Sequence, residues 1–380
     1  MTGPEIVRVE AIPLEAPLDE PFAYSQAWVD TREALLVRIE TEDGIIGWGE
    51  SWGPIAGTRE TIEEFFRPLL VGRTIHDVPS IYEKLYDAGR AAYQSIVPLP
   101  AIAGIDIALW DIVAKDREVS VATALGEKHR SVVPAYATGH YFKPVDSIEE
   151  QFDRIATEAA ENMDALGAIK LKLGLSFLDY DWQTDVALVR RVREQVGESG
   201  TIMVDANYAY DLDTATQVGT ALDQYDIRWF EEPLRPEDEN GFRTLCSKLS
   251  IPIATGECLD PAGMMRYLEG ELLDIAQPDV CNIGGLTPAS EIATAVESID
   301  SVQFIPHVWG TPIALGASLQ LLATVKSDTM LEFDRSPNPL REQLATEPIT
   351  PDSEGKLKIP DGPGLGIELD ESSIEQYRCD

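Results

Sequence analysis

A chain of 380 residues is longer than one small core can organise, so a large domain with a smaller companion is expected. With 44% hydrophobic and 25% charged residues the composition is that of a globular protein, but 30 Lys+Arg against 66 Asp+Glu give a net charge of −36. That charge repels phosphate backbones and anionic bilayers, which excludes nucleic acid as a partner and argues against a membrane surface.

The acidic residues are spread along the chain rather than gathered in a tail, and only ten of the 30 basic residues are lysine. This is the pattern of a halophile surface, on which dense carboxylates hold water and cations while high salt screens their repulsion. The expected result is a melting temperature that rises from dilute buffer to molar KCl; equal stability in both would contradict it. Cys246, Cys258, Cys281 and Cys379 show no paired spacing, so reduced thiols and a cytoplasmic location are expected. No basic, apolar and small-residue leader opens the sequence. The least charged window, residues 304–325, carries Pro306, His307 and Pro312 and reads as a buried strand, a loop and a core helix rather than a membrane span.

Taken in order, residues 6–15 alternate as a strand, and residues 34–40 pair naturally with 45–50 across the turn Thr41-Glu42-Asp43-Gly44. The connection over residues 18–32 is long for a tight domain and reads as either a packed flap or a lid over a site, with Phe22, Tyr24 and Trp28 favouring the lid. Helical periodicity follows at 59–71, 78–93 and 101–115. In the last of these Ile102, Ile105, Leu109 and Ile112 form one apolar stripe, with Asp106 and Asp111 off it and without assigned chemistry. Residues 1–127 thus read as an α+β capping domain.

From Val133 the rhythm becomes strand, helix, strand. Apolar strands are expected at 133–139, 168–174, 201–207, 227–233, 252–257, 274–279, 302–307 and 330–334, with helices such as 147–166, 180–196, 211–225 and 286–299 between them. This alternation predicts a parallel TIM-like barrel of the (β/α)7β type over residues 128–340, with no clear helix after the last strand. Residues 341–380 are expected to return and pack on the capping domain.

In such a barrel the C-terminal strand ends build the site. Lys170 and Lys172, two apart in AIKLKLG, share one face of a strand, while Ile169, Leu171 and Leu173 share the other. Either this is an edge strand whose lysines face water, or both lysines are buried, where lost hydration lowers the pKa and suits a lysine to take up a proton. Asp205, Glu231 and Glu257 end the third, fourth and fifth barrel strands. Three carboxylates at adjacent strand ends repel one another unless a divalent cation lies among them, and all-oxygen ligation suits Mg²⁺, with Mn²⁺ as the alternative. Asp279 and His307 end the sixth and seventh strands, and a carboxylate beside an imidazole fixes its tautomer and raises its pKa, as a general acid or base requires. Lys172 and His307 then face each other across the mouth as two groups for opposite faces of one carbon. Glu232, next to Glu231, is expected to point away from it.

The ordered set GIIGWGE (44–50), GIDIALWDI (104–112), KLK (170–172), DAN (205–207), WFEEP (229–233), GE (256–257), QPD (277–279) and PHVWG (306–310) runs through nearly the whole chain. It resembles the enolase superfamily, specifically its mandelate racemase-like subgroup, in which a Lys or His base works with Mg²⁺. YATG (136–139), PHVWGT (306–311), EFDRSPNPLR (332–341) and PDGPGLGIE (360–368) further resemble the branch that contains galactarolactone cycloisomerases and related sugar-acid enzymes. The resemblance implies Asp205, Glu231 and Glu257 as metal ligands, Lys172 as base, and Asp279 with His307 as a dyad. It also implies Lys170 as the contact of the substrate carboxylate and Glu332 as a hydrogen-bonding group for it. Asn207, His140, Tyr24 and Trp309 complete the expected substrate contacts.

The activity so implied is Mg²⁺-dependent removal of the proton α to a carboxylate, followed by β-elimination from a sugar acid or opening of its lactone. Racemisation or epimerisation of a 2-hydroxy acid is the alternative outcome of the same first step. Outside that class stand an inactive barrel that binds a ligand or serves a structural role, and a metal-dependent hydrolase. The hydrolase is disfavoured because only His307 lies at a strand end, with His140 just past one. A homo-oligomer acting on a small molecule is expected.

Overall fold

The computed structural model describes residues 3–94 and 96–379. Strands β1 (Ile6–Ala23), β2 (Trp28–Thr41) and β3 (Ile46–Ser51) form an antiparallel sheet in that order. The connection expected as a long loop is mostly paired strand: after a register shift between Pro17 and Phe22, Phe22 pairs with Val29 and Ala23 with Trp28. The aromatic residues have something to pack on. Phe22 stacks on Tyr141 with ring centroids 4.3 Å apart, and Ala23 bridges Phe142 in the other half of the molecule. Only residues 24–27 remain as a turn at the hairpin tip.

The helix Leu99–Asp116 lies against this sheet so closely that a Cβ on Gly49 would sit 1.8 Å from the Gly104 carbonyl oxygen. Asp106 and Asp111 are off the apolar stripe yet buried, because the helix is covered on both sides. Asp106 accepts from the Thr287 amide at 2.9 Å and hydroxyl at 2.6 Å, and Asp111 from the amides of Trp48 at 2.9 Å and Leu365 at 2.8 Å. The GWGE and GIDIALWDI segments therefore weld the small sheet to the barrel.

The barrel strands are β4 (Val132–Thr138), β5 (Ala168–Lys172), β6 (Thr201–Asp205), β7 (Ile227–Glu231), β8 (Ile253–Thr255), β9 (Ile275–Ala276), β10 (Gln303–Phe304) and β11 (Leu331–Asp334). All ladders among them are parallel, in the order β10-β9-β8-β7-β6-β5-β4-β11. Across the remaining seam the Thr329 hydroxyl donates to the Phe304 carbonyl at 2.7 Å. A ring of inward side chains, among them Tyr136, Met203, Trp229, Ile275 and Ile305, fills the interior and marks the closed TIM-like form. The helices start where the sequence supplies caps: Ser147, Asp181, Asp211, Asp238 and Asp260 each accept the amide three residues on.

After β11 only the short helix Pro339–Gln343 forms. The rest of the C-terminal segment divides: β12 (Lys356–Lys358) pairs antiparallel with β4, whereas Leu14 bridges Arg378 and the Cys379 amide donates to Pro13 at 3.1 Å. Much of the segment thus packs on residues 1–127 as expected, with Gly364 also bridging Ser120 and the Leu365 amide reaching Asp111, while β12 alone adds to the barrel strand β4. No helix among the described residues is long and apolar enough to cross a membrane.

Candidate active site

The alternation in AIKLKLG maps directly onto the barrel wall. Strand β5 lies between β4 and β6, so it is not an edge; Ile169, Leu171 and Leu173 pack into the layer beneath the helices, and Lys170 and Lys172 point inward with 0% and 7% exposure. Register then aligns the chemistry, since Lys172 lies opposite Asp205 and Asp205 opposite Glu231. Lys172 Nζ donates to Asp205 Oδ2 at 2.5 Å and to Asn207 Oδ1 at 3.0 Å. One step deeper, Lys170 Nζ sits 2.5 Å from Glu231 Oε1 and 2.8 Å from Glu332 Oε1. Trp229 Nε1 and Gln277 Nε2 fix the other Glu231 oxygen at 2.9 and 2.8 Å.

Across the mouth His307 Nδ1 lies 2.7 Å from Asp279 Oδ2, and its Nε2 lies 3.3 Å from Glu257 Oε2 and 3.8 Å from Glu332 Oε2. Trp52, just beyond β3, stacks on the imidazole with centroids 5.1 Å apart and an interplanar angle of 13°. Its amide donates to the Cys281 carbonyl at 3.0 Å, so the first sheet contributes a wall of the site. Glu50, two residues earlier on β3, accepts from the Thr311 amide and hydroxyl at 3.0 and 2.6 Å and from the Ala314 amide at 3.0 Å, capping the helix Pro312–Leu322 that follows His307.

Electrostatically the mouth is crowded with acid. Asp205, Glu231, Glu232, Glu257, Asp279 and Glu332 are all buried, against the cations Lys170, Lys172 and, when protonated, His307. Burial raises Glu231 to about 7, against the pull of Lys170 and with help from Asp205 and Glu332. Burial likewise raises Glu257 despite His307, and it raises Glu232 well above the carboxylate range with Glu257 and Asp205 adding to the effect. For Asp205 burial is outweighed by Lys172 and Lys170, and for Glu332 by Lys170 and His307, so both are lowered.

The lysines differ from the expectation drawn from burial. Burial does pull Lys172 down, but Asp205 and Glu257 pull it up by more, and Lys170 is raised in the same way by Glu231 and Glu332. Burial would also lower His307, yet Glu257, Glu332 and Asp279 raise it from 6.5 to about 10. A raised folded-state pKa stabilises below the unfolded value, so in the metal-free protein this contribution is complete below pH 6.5 and is lost as pH climbs through about 10. NMR titration of the His307 ring in metal-free protein is expected to show an imidazolium at neutral pH; a midpoint near 6.5 would contradict it.

Asp205, Glu231 and Glu257 form an all-oxygen donor set with a surplus of buried negative charge, the chemistry that suits a hard divalent cation. Glu232, next in the chain, is raised well above its ordinary range by burial and so does not add to that charge. It turns with φ 42° at the strand end instead of alternating outward, and its Oε2 has no hydrogen-bond partner among the described residues. The residues therefore fit a magnesium-type ion.

Lys172, Asn207, Glu257, His307, Trp309 and Glu332 line one cavity of about 70 Å³ together with Tyr24 from the hairpin tip. Lys170, Asp205, Glu231 and Asp279 stand behind this lining and hold it in place. The tip docks through Ser25 Oγ to the Ala206 carbonyl at 2.8 Å and Gln26 Nε2 to the Asn207 carbonyl at 2.7 Å. His140 is not in the cavity as expected. It is fully buried behind β5, with Nδ1 2.9 Å from the Lys170 carbonyl and Nε2 3.1 Å from the side-chain Nδ2 of Asn162, so both ring nitrogens are committed to partners outside the cavity. Tyr141, beside His140 in sequence and expected with it to influence substrate choice, does line the cavity, as do Trp52 and Tyr208, which the sequence does not point to. Tyr208 follows the DAN segment, but nothing local marks Trp52.

Comparison with known proteins agrees with this geometry. Residues 7–126 match the family model described as mandelate racemase / muconate lactonizing enzyme, N-terminal domain, and residues 154–373 match that described as enolase C-terminal domain-like. The chain is 34% identical over 383 residues to the D-galactarolactone cycloisomerase of Agrobacterium fabrum, covering 98% of this chain and 99% of that one. It is 30% identical over 350 residues to the arabinonate dehydratase of Saccharolobus solfataricus, covering 91% of each. A crystal structure of a racemase from Streptomyces coelicolor A3(2) with bound magnesium superposes with a TM-score of 0.87 at 26% identity, over 98% of this chain and all of that one. Matches to both family models, on a barrel whose strand ends bring two lysines, three carboxylates and an Asp–His pair together, mean that the chain belongs to the enolase superfamily.

Proposed function

We propose that this protein removes the proton α to the carboxylate of a sugar acid or its lactone and expels the oxygen substituent on the β carbon. The observation that carries this reading is the shared cavity. Lys172 on β5 and His307 beyond β10, the latter backed by Asp279, open into one space, with β6 to β9 between the two strands. Relatives named as a sugar-lactone cycloisomerase and a sugar-acid dehydratase support the substrate class.

In this scheme Lys172 Nζ, as the neutral amine, accepts the α proton, and Asn207 holds the ammonium that results. Lys170, set between Glu231 and Glu332, donates to the substrate carboxylate. His307 Nε2 gives its proton to the leaving oxygen, while Asp279 on Nδ1 orients the ring and stabilises the imidazolium. If the leaving group is a hydroxyl, the C–O bond breaks, water departs and the enol tautomerises to a 2-keto-3-deoxy acid; if it is a lactone oxygen, the ring opens. Asp205, Glu231 and Glu257 would hold a magnesium ion, whose charge opposes the negative charge that develops on the substrate carboxylate. Residues 1–127 and 341–380 act as the cap of a barrel formed by 128–340, with the hairpin tip at 24–27 closing the mouth.

The test is a panel of aldonates, aldarates and their lactones incubated with the protein and Mg²⁺, scored for 2-keto-3-deoxy acids and opened lactones. At least one substrate is expected to give such a product. Epimerised acid with no keto product would overturn elimination in favour of re-protonation.

A further inference from the structure

We propose a second cation position at the rim of the mouth, formed by Glu232, Glu257 and Cys258 and suited to a thiophilic divalent cation such as Zn²⁺. One ligand atom from each of the three residues lies within 4.8 Å of the others. Glu232 supplies the independent sign that something belongs there. It is 1% exposed, no salt bridge reaches it among the described residues, its Oε2 has no hydrogen-bond partner, and its Oε1 receives only the Thr255 hydroxyl at 3.4 Å. Cys258 stands at the exposed end of the cluster, with Sγ 3.1 Å from the Tyr208 hydroxyl, and gives a metal ion access from solvent.

The donor set separates this position from the one bounded by Asp205, Glu231 and Glu257. Two carboxylates and a sulfur favour Zn²⁺ over Mg²⁺, which takes oxygen ligands. Ligands around tetrahedral Zn²⁺ at ~2.0–2.3 Å are themselves ~3.3–3.8 Å apart, so modest side-chain rotation brings these three into place. Coordination of Cys258 as thiolate releases its proton to solvent, and water completes the shell. Because Glu257 serves both positions, an ion bound at the rim draws it from the inner set, and Zn²⁺ becomes an inhibitor of the proposed magnesium-dependent reaction.

Co²⁺ is the spectroscopic probe, titrated into the metal-free full-length protein. A thiolate-to-Co²⁺ charge-transfer band is expected with one equivalent, absent in Cys258→Ser and shifted to ~10–100-fold higher Co²⁺ in Glu232→Gln. Persistence of the band in Cys258→Ser, or Co²⁺ binding with no such band in the wild type, would overturn the proposal. The inhibition rests on the function proposed above, but the band does not. A protein that turns over no sugar acid yet shows the Cys258-dependent band would refute that function and leave the cation position standing.

Discussion

Replacing Lys172 with alanine is expected to lower turnover by ~10²–10⁴-fold and to abolish exchange of the substrate α proton with D₂O, the contribution usual for a positioned base. His307→Asn is expected to cut product formation over the same range while leaving α-proton exchange in place, because Lys172 still acts on its own side of the cavity. The two variants thus divide one reaction into its halves. The geometry behind the division is that Lys172 meets Asp205 and Asn207 on one arc of the barrel, whereas His307 meets Asp279 and Glu257 on the other. Near-wild-type rates in both variants would show that neither group moves a proton. Exchange lost equally in both would show that His307, too, acts on the α carbon.

Exhaustive chelation is expected to reduce activity by at least ~10²–10³-fold, the scale associated with loss of a single donor to a developing oxyanion, and added Mg²⁺ is expected to restore it. The protein's own electrostatics make the loss deep. With no metal ion, Asp205 holds Lys172 as the ammonium, which cannot accept a proton, and the carboxylates of Glu231 and Glu257 stay above their ordinary range. A cation among these acids relieves their repulsion, so Mg²⁺ is also expected to raise the melting temperature in a concentration-dependent way. Full activity after EDTA treatment would exclude Asp205, Glu231 and Glu257 as ligands of a required metal.

Much of the site could be read from strand periodicity. Parity along AIKLKLG puts Lys170 and Lys172 on one face, and parallel pairing in register sets Lys172 beside Asp205 and Asp205 beside Glu231. What escaped depends on partners far away in the chain. Asp106 and Asp111 look like surface acids until the amides of Thr287 and Leu365 are brought to them. Trp52 directly follows the first sheet and reaches His307 only because that sheet docks on the barrel. His140 lies just past a strand end, where a substrate contact is expected, but a left-handed turn with φ 54° directs it behind β5. Glu232 departs from strand alternation by the same kind of turn. The direction of the Lys172 shift was missed because burial alone argues downward, whereas a carboxylate at 2.5 Å outweighs it.

The most direct test follows the α hydrogen itself. A sugar acid or lactone found active in the panel is prepared with deuterium at the α carbon and converted in ordinary water by the magnesium-loaded wild type. The account predicts that every turnover releases this deuterium to solvent through Lys172, with a primary isotope effect on the chemical step and none of the label retained at that carbon in the product. Product that forms with the α deuterium still in place would contradict it.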